Sequence, residues 1–144
     1  MLRRIVWLVL IILMTMALPC HGRAETRVMV LPFEVNALQD LTYLQAEVPK
    51  IIEKNLLAEG AVIVEPPIRS VLADPVQIRE MGLEYGVDFI IWGSLTWIDQ
   101  QFSIDLRVLS PNDETPVETL TVEGQGIETL SGKIAELSQA LTAQ

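Results

Sequence analysis

Carboxylates are the side chains of this sequence best suited to chemistry, because 19 of its 144 residues are aspartate or glutamate. Two carboxyl groups held at a suitable distance are enough to hydrolyse a glycoside. Asp88 comes closest to a catalytic position, since it directly precedes the apolar run 89–92, where a buried carboxyl group could act as a general acid or base. The alternative, which the sequence favours, is a turn aspartate that bonds nearby backbone amides.

A second acidic cluster, Asn112-Asp113-Glu114, has oxygen ligands that could bind calcium. It lacks the alternating ligands and the glycine of a calcium-binding loop, so a solvated turn is the better interpretation. The only cysteine and the only histidine, Cys20 and His21, lie close to the N-terminus. If this N-terminal segment is removed, the remaining chain has no thiol nucleophile, no imidazole base and no usual zinc ligands. Nucleotide-binding and hydrolase motifs are also missing from the sequence, which therefore predicts no catalytic residue, no metal site and no cofactor.

The N-terminal segment has the pattern of a secretory signal peptide. A short segment with two basic residues, Arg3 and Arg4, precedes an apolar stretch of fourteen residues, Ile5 to Leu18. Small residues at Gly22 and Ala24 fit cleavage between Ala24 and Glu25. An uncleaved anchor is disfavoured, because a membrane-spanning helix needs about 20 apolar residues. We therefore predict export to the periplasm.

Lipidation of Cys20 is the alternative to a freely soluble exported protein. Lipoprotein signals resemble Leu-x-Gly/Ala-Cys, and Pro19 next to Cys20 fits that pattern poorly. Cleavage before Glu25 leaves seven basic residues against 19 acidic ones, a net charge of −12. Such acidity disfavours nucleic acids and anionic membrane surfaces as partners, and no membrane insertion is expected after cleavage. Residues 25–144 are expected to form one domain.

The elements of that domain follow from hydrophobic periodicity and turn residues. The predicted order is β-α-β-α-β-β-β-α. The strands are expected at 27–33, 61–64, 86–98, 101–108 and 117–122, and the helices at 40–60, 74–86 and 127–141. Strands joined by helices pair in parallel and the last strands form an antiparallel meander. We predict an α/β (α+β) fold with a mixed five-stranded sheet in the order 2-1-3-4-5, helices on both faces, and a likeness to anticodon-binding domains.

Several local expectations accompany this topology. Residues 34–40 are predicted as a loop, and 67–73 as a short helical turn. Pro49 either kinks the first helix or begins a second one. The strand that starts near Phe89 is apolar on both faces and is expected to be covered on both. Residues 124–126 are expected to end the last strand.

Aromatic residues of the central hairpin offer the only candidate contact surface that the sequence indicates. Trp97 and Phe102 lie near the hairpin end and could partly face water, where aromatic residues anchor protein interfaces. Core packing is the alternative for both residues and for Trp92, and it is favoured because the strand is central.

Two stretches of the chain resemble a known family. Val30-Leu31-Pro32-Phe33 and the segment from Gly86 to Leu95 are similar to the amino-terminal domain of TolB, and to envelope domains of the FlgO and CsgG type. The resemblance covers nearly all of residues 27–144. It implies a non-enzymatic α/β domain of the Gram-negative periplasm that serves protein assembly. No binding residue is carried over from it.

The sequence therefore predicts an exported, non-catalytic accessory module that binds one or more envelope proteins, with partner and oligomeric state open. A carboxylate-dependent hydrolase of envelope polysaccharide is the alternative from another class. It would require two carboxylates in one cleft, about 5–9.5 Å apart, one of them with a raised pKa. The detached front part of an outer-membrane assembly protein is a third possibility.

Overall fold

A computed structural model of the chain describes residues 24–142. The predicted signal sequence and Cys20 lie outside these described residues. Six strands and three helices form within them. The strands are β1 (Arg27–Val30), β2 (Glu34–Ala37), β3 (Val62–Ile63), β4 (Phe89–Ile98), β5 (Gln101–Leu109) and β6 (Glu118–Gln125), and the helices are α1 (Leu44–Ala58), α2 (Pro75–Tyr85) and α3 (Ile127–Thr142).

The sheet confirms the predicted topology. Its strands lie in the order β3-β1-β4-β5-β6. β1 pairs in parallel with both β3 and β4, while β5 and β6 add to β4 as an antiparallel meander. With the predicted five strands numbered along the chain, this order is 2-1-3-4-5. The fold class is therefore the mixed α/β sheet that the sequence predicted.

β2 corrects the prediction of a loop at 34–40. It pairs in parallel with the second half of β4, beyond the end of β1. Val30 pairs with Ile91 and Glu34 with Ser94, so three residues of the first segment oppose only two residues of β4 between these pairs. This extra residue is a bulge, and Pro32 within it has no backbone N–H to donate. β1 and β2 together thus form one interrupted strand that pairs along most of β4.

Helix α1 resolves the two alternatives for Pro49 in favour of a single continuous helix. A proline cannot donate to the carbonyl four residues earlier, which here is the carbonyl of Gln45. The backbone N–H of Phe33, in the bulge, donates to that oxygen at 3.2 Å. The proline thereby ties the helix to the sheet. The helix begins later than predicted, and the Asp40 carboxylate accepts from the Thr42 amide at 3.3 Å in the preceding turn.

Glycines end two of the helices as predicted. Gly60, with a φ of 90°, follows α1, and its N–H donates to the carbonyl of Leu57 while the Ala61 N–H donates to that of Leu56. This paired arrangement is a Schellman motif. Gly86 ends α2 with a φ of 60°, a left-handed conformation that glycine adopts without strain.

The helices lie on opposite faces of the sheet. α1 and α3 cover one face, the two-helix face, where their side chains pack with the odd-numbered core residues of β4 such as Ile91 and Leu95. α2 covers part of the other face, the one-helix face, where Ile78 packs with Ile90 and Trp92. Two separate clusters of buried side chains result, as expected for a sheet sandwiched between helices. None of the helices among residues 24–142 is long and apolar enough to cross a membrane.

Two local predictions are wrong. Residues 67–73 form bends and irregular backbone rather than a helical turn. Prolines restrict the residues before them to extended conformations, and this segment lies between Pro67 and Pro75. β6 continues through Gly124 to Gln125, because the ring of Phe102 lies over Gly124 and a Cβ there would be 2.3 Å from it. The strand ends only at Gly126, whose φ is 78°.

Candidate functional site

Asp88, the predicted catalytic candidate, has a structural role. Its carboxylate accepts a hydrogen bond from the backbone N–H of Arg27 at 2.8 Å. Its own backbone N–H donates to the carbonyl of Arg27, also at 2.8 Å. The Arg27 guanidinium in turn donates to the carbonyl of Tyr85 at 3.3 Å. Asp88 therefore fastens the start of β1 beside the start of β4. The sequence favoured a backbone-bonding role over a catalytic one, but it placed the bonds in the local turn rather than on a strand 61 residues away.

The loop after β5 is held by a cation of the protein itself. The Arg79 guanidinium, on α2, donates to four backbone carbonyls of this loop, those of Ser110, Pro111, Asp113 and Thr115. A calcium ion at the same oxygens would be repelled by that guanidinium. Among residues 24–142, no group of three or more His, Cys, Asp or Glu side chains is placed to hold a metal ion.

The structure places Trp97 and Phe102 in the core of the two-helix face. They are only 6% and 3% exposed, and their rings stack with centroids 5.4 Å apart and planes 18° apart. The indole Nε1 of Trp97 donates to the carbonyl of Asp99 in the hairpin turn at 2.9 Å. Trp92 is buried on the opposite face. The expected contact surface at Trp97 and Phe102 is corrected accordingly, because neither ring presents its surface to solvent.

An open apolar cleft lies at the other end of β4. Phe89, the first residue of that strand, is on the two-helix face with Val28 beside it, yet 41% of Phe89 is exposed. The prediction that both faces are covered is wrong here. α1 ends at Ala58 and α3 at Thr142, and the start of β4 is left open between these helix ends. The cleft has a volume of about 690 Å³, and its apolar lining comprises Val28, Leu56, Ala61, Phe89, Ile91, Val108 and Leu141.

Among residues 24–142, the charged side chains that line this cleft are all acidic. They are Glu25 before β1, Glu59 after α1 and Glu118 at the start of β6. α1 and α3 both have their C-terminal ends at the cleft, and neither has a basic residue in its last turn. A helix C-terminus carries a partial negative charge. The cleft thus combines an apolar floor with an electronegative rim.

A second depression, at the hairpin end of the sheet, differs in character. It is smaller, about 480 Å³, and polar side chains such as Gln101, Ser103 and Glu123 dominate its lining. Ile98 is its exposed apolar residue, 60% accessible, and it lies at the last position of β4. This depression offers no apolar floor comparable with that of the cleft.

Sequence reasoning did not indicate the cleft. The available signal was the start of β4 directly after the Gly86 cap, which puts Phe89 at the rim of the sheet. Ala24 and Glu25, the predicted cleavage position, also line the cleft. Cleavage between them stays a prediction.

No protein-family model matches the chain, and neither does any curated protein sequence. Solved structures do match its fold. A PelC dodecamer from Paraburkholderia phytofirmans aligns with a TM-score of 0.58 and 13% identity, over 83% of this chain and 90% of that one. The LpoB C-terminal domain from Salmonella enterica aligns with a TM-score of 0.59 and 10% identity, over 78% and 91%.

TolB from Acinetobacter baumannii is a third match, with a TM-score of 0.52 and 15% identity over 83% of this chain. The alignment covers 29% of the TolB chain. The resemblance seen in the sequence is therefore confirmed at the level of the fold. At such low identities the likeness shows a shared fold and nothing about shared residues.

Proposed function

We propose that this protein is an exported, non-catalytic module of the Gram-negative cell envelope that binds a partner protein through the apolar cleft. The exposure of Phe89 above an otherwise buried floor is the observation that carries the proposal. Apolar surface that a fold leaves open in one contiguous place commonly marks an interaction site. Aromatic residues such as the phenylalanine at its edge are enriched at protein interfaces.

Export and an envelope location are supported by the pattern of the first 24 residues and by the TolB-type fold. The strong negative charge supports the same view, because it disfavours nucleic acids and anionic lipid surfaces as partners. The partner that we propose is therefore a protein.

A contact role also suits the carboxylates better than hydrolysis does. Partial burial and repulsion from Glu65 raise the pKa of the Glu53 carboxyl group. Neither residue lines the cleft. The Asp88 carboxylate already accepts a hydrogen bond from the backbone N–H of Arg27 in β1. A hydrolase would instead place a raised-pKa carboxyl group and a second carboxylate together in a cleft.

Site-specific photocrosslinking in intact cells tests this function. A photoreactive amino acid replaces Phe89 in one variant and Ile98 in the control, since these are the two exposed apolar ends of the same strand. We expect the protein in the periplasmic fraction and a defined protein crosslinked from position 89 alone. The purified partner should then rebind the purified protein. Retention in the cytoplasm, or identical crosslinks from both positions, would overturn the proposal.

A further inference from the structure

We infer that the cleft takes a basic, apolar polypeptide segment, with apolar side chains on its floor and lysine or arginine side chains at its rim. This inference names the chemistry of the partner and rests on the proposed function. It follows from two properties of the lining that are independent of each other, the shape of the apolar floor and the sign of the charge around it.

The floor is built to receive side chains rather than a flat surface. Val28 and Ile91 form its base and are almost completely buried, whereas Phe89 stands exposed at its edge. Leu56 from α1 and Leu141 from α3 contribute to the lining from the two helices. A volume of about 690 Å³ lies within the range of ordinary binding pockets. Only apolar groups of an occupant can replace the water on such a floor without losing hydrogen bonds.

The rim selects the charge of the occupant. Glu25, Glu59 and Glu118 come from three separate elements and converge on the same opening. Arg27, two residues after Glu25, is engaged at Tyr85 of α2, on the opposite face of the sheet. Each positive charge brought to the rim therefore meets carboxylates with no competing cation of the protein among the lining residues.

The ends of α1 and α3 add to this field. Both helices direct their C-terminal carbonyl groups towards the cleft end of the domain, and neither last turn contains a basic residue. The partial negative charges of the two helix ends therefore add to those of the three carboxylates. An acidic segment would be repelled by this field. An uncharged segment would gain binding free energy only from its apolar contacts with the floor.

Three fluorescent peptides of equal length test the inference, one alternating leucine with lysine, one leucine with serine, and one leucine with glutamate. Binding to the purified protein is followed by fluorescence anisotropy. We expect the leucine–lysine peptide to bind at least about tenfold more tightly than the leucine–serine peptide, and the leucine–glutamate peptide to bind least. The preference for lysine should shrink as salt is added.

Matched variants separate the cleft from the overall negative charge of the protein. Phe89→Ser should weaken binding of the leucine–lysine peptide about tenfold or more, while Ile98→Ser, at the other end of β4, should not. Glu118→Gln should weaken binding and reduce its salt dependence, whereas Glu123→Gln removes the same charge from the same strand outside the cleft and should change neither. Thermal melts followed by circular dichroism verify that each variant is folded.

Each result decides the question. Equal losses in the cleft and control variants would mean attraction to the net charge alone and would overturn the inference. Equal binding of the serine and lysine peptides would show that the rim selects nothing, which would also overturn it. If a protein still crosslinks from position 89 in cells while these peptide preferences fail, the proposed function stands and the inferred chemistry of the partner falls.

Discussion

The two ends of β4 carry aromatic side chains on the same face of the sheet, and they have opposite environments. Trp97, near the end of the strand, is 6% exposed and stacks on Phe102. Phe89, at the start, is 41% exposed beside an open cleft. Residue type and position on the face are similar. The difference therefore lies in what the neighbouring elements provide.

At the hairpin end, the neighbouring strand β6 leaves space for the aromatic pair, and both rings are buried. Phe102 occupies the space above Gly124 on β6, where any side chain would collide with its ring. At the cleft end, the elements that the structure describes between residues 24 and 142 leave 41% of Phe89 exposed. One end of the strand is thus packed for stability, and the other keeps apolar surface available for contact. This contrast gives mutational predictions of very different size.

Replacement of the two aromatic residues by alanine tests the contrast directly. Trp97→Ala should lower the free energy of unfolding by about 3–5 kcal/mol, because it removes a buried indole and leaves a cavity under Phe102. Phe89→Ala should change it by at most about 1 kcal/mol, since much of that ring already contacts water. Urea unfolding followed by circular dichroism measures both values.

Similar losses for both variants would contradict the comparison, because Phe89 would then be part of the packed core. An unchanged free energy of unfolding for Trp97→Ala would also contradict it, because Trp97 would then not be part of the packed core. Phe102→Ala is the matched check, since it removes the other ring of the stack and should also cost about 3–5 kcal/mol.

α3 provides a second prediction, because it packs on the two-helix face of the sheet. Leu130, Ile134 and Leu137 are buried against the two-helix face. Leu137→Ala should therefore cost about 2–5 kcal/mol in the free energy of unfolding. Gln139→Ala, an exposed position on the same helix, should stay within about 0.5 kcal/mol.

The thermal midpoint of each variant gives the measurement, and it should fall clearly for Leu137→Ala alone. If both substitutions are neutral, the helix does not contribute to the stability of the domain. Its apolar stripe would then be free to bind a partner, and the cleft would no longer be the main candidate surface.

The topology could be predicted from the sequence because local signals determine it. The spacing of Leu130, Ile134 and Leu137 indicates one face of a helix, and the alternation in Gln101–Leu109 indicates a half-buried strand. β2 escaped prediction because four residues with two polar side chains carry almost no pattern. Its strand character comes from pairing with β4, which is a tertiary effect.

The candidate site could not be predicted for a related reason. Phe89 belongs to an apolar run that looks buried on both faces, and its exposure depends on where α1 and α3 end in space. Periodicity gives the face of a helix but not the distance that it reaches across a sheet. For Trp97 and Phe102 the sequence favoured core packing over a contact surface, and their burial agrees with that interpretation. The glycine at position 124 that accommodates Phe102 gave no readable signal.

Glu53 gives the smallest expected effect, and it tests the repulsion between its carboxylate and that of Glu65. Partial burial, and repulsion from Glu65 after β3, raise the pKa of the Glu53 carboxyl group above its ordinary value, while Lys50 acts in the opposite direction. The folded state therefore favours the protonated form. Its stabilising contribution is complete below the ordinary pKa of 4.5 and is lost as the pH rises through the raised folded value.

Glu53→Gln replaces the carboxylate by a neutral group of the same shape, so it should raise the thermal midpoint slightly at pH 7. The gain should disappear below pH 4.5, where the wild-type carboxyl group is itself largely protonated. Glu123→Gln is the control, since it removes an equal charge from the hairpin end, and melting curves across this pH range compare the two variants. A gain for Glu53→Gln that persists unchanged in acid would mean that repulsion between carboxylates is not its cause. An equal gain for Glu123→Gln would mean that the effect comes from net charge, and the two ends of the domain would then not differ electrostatically.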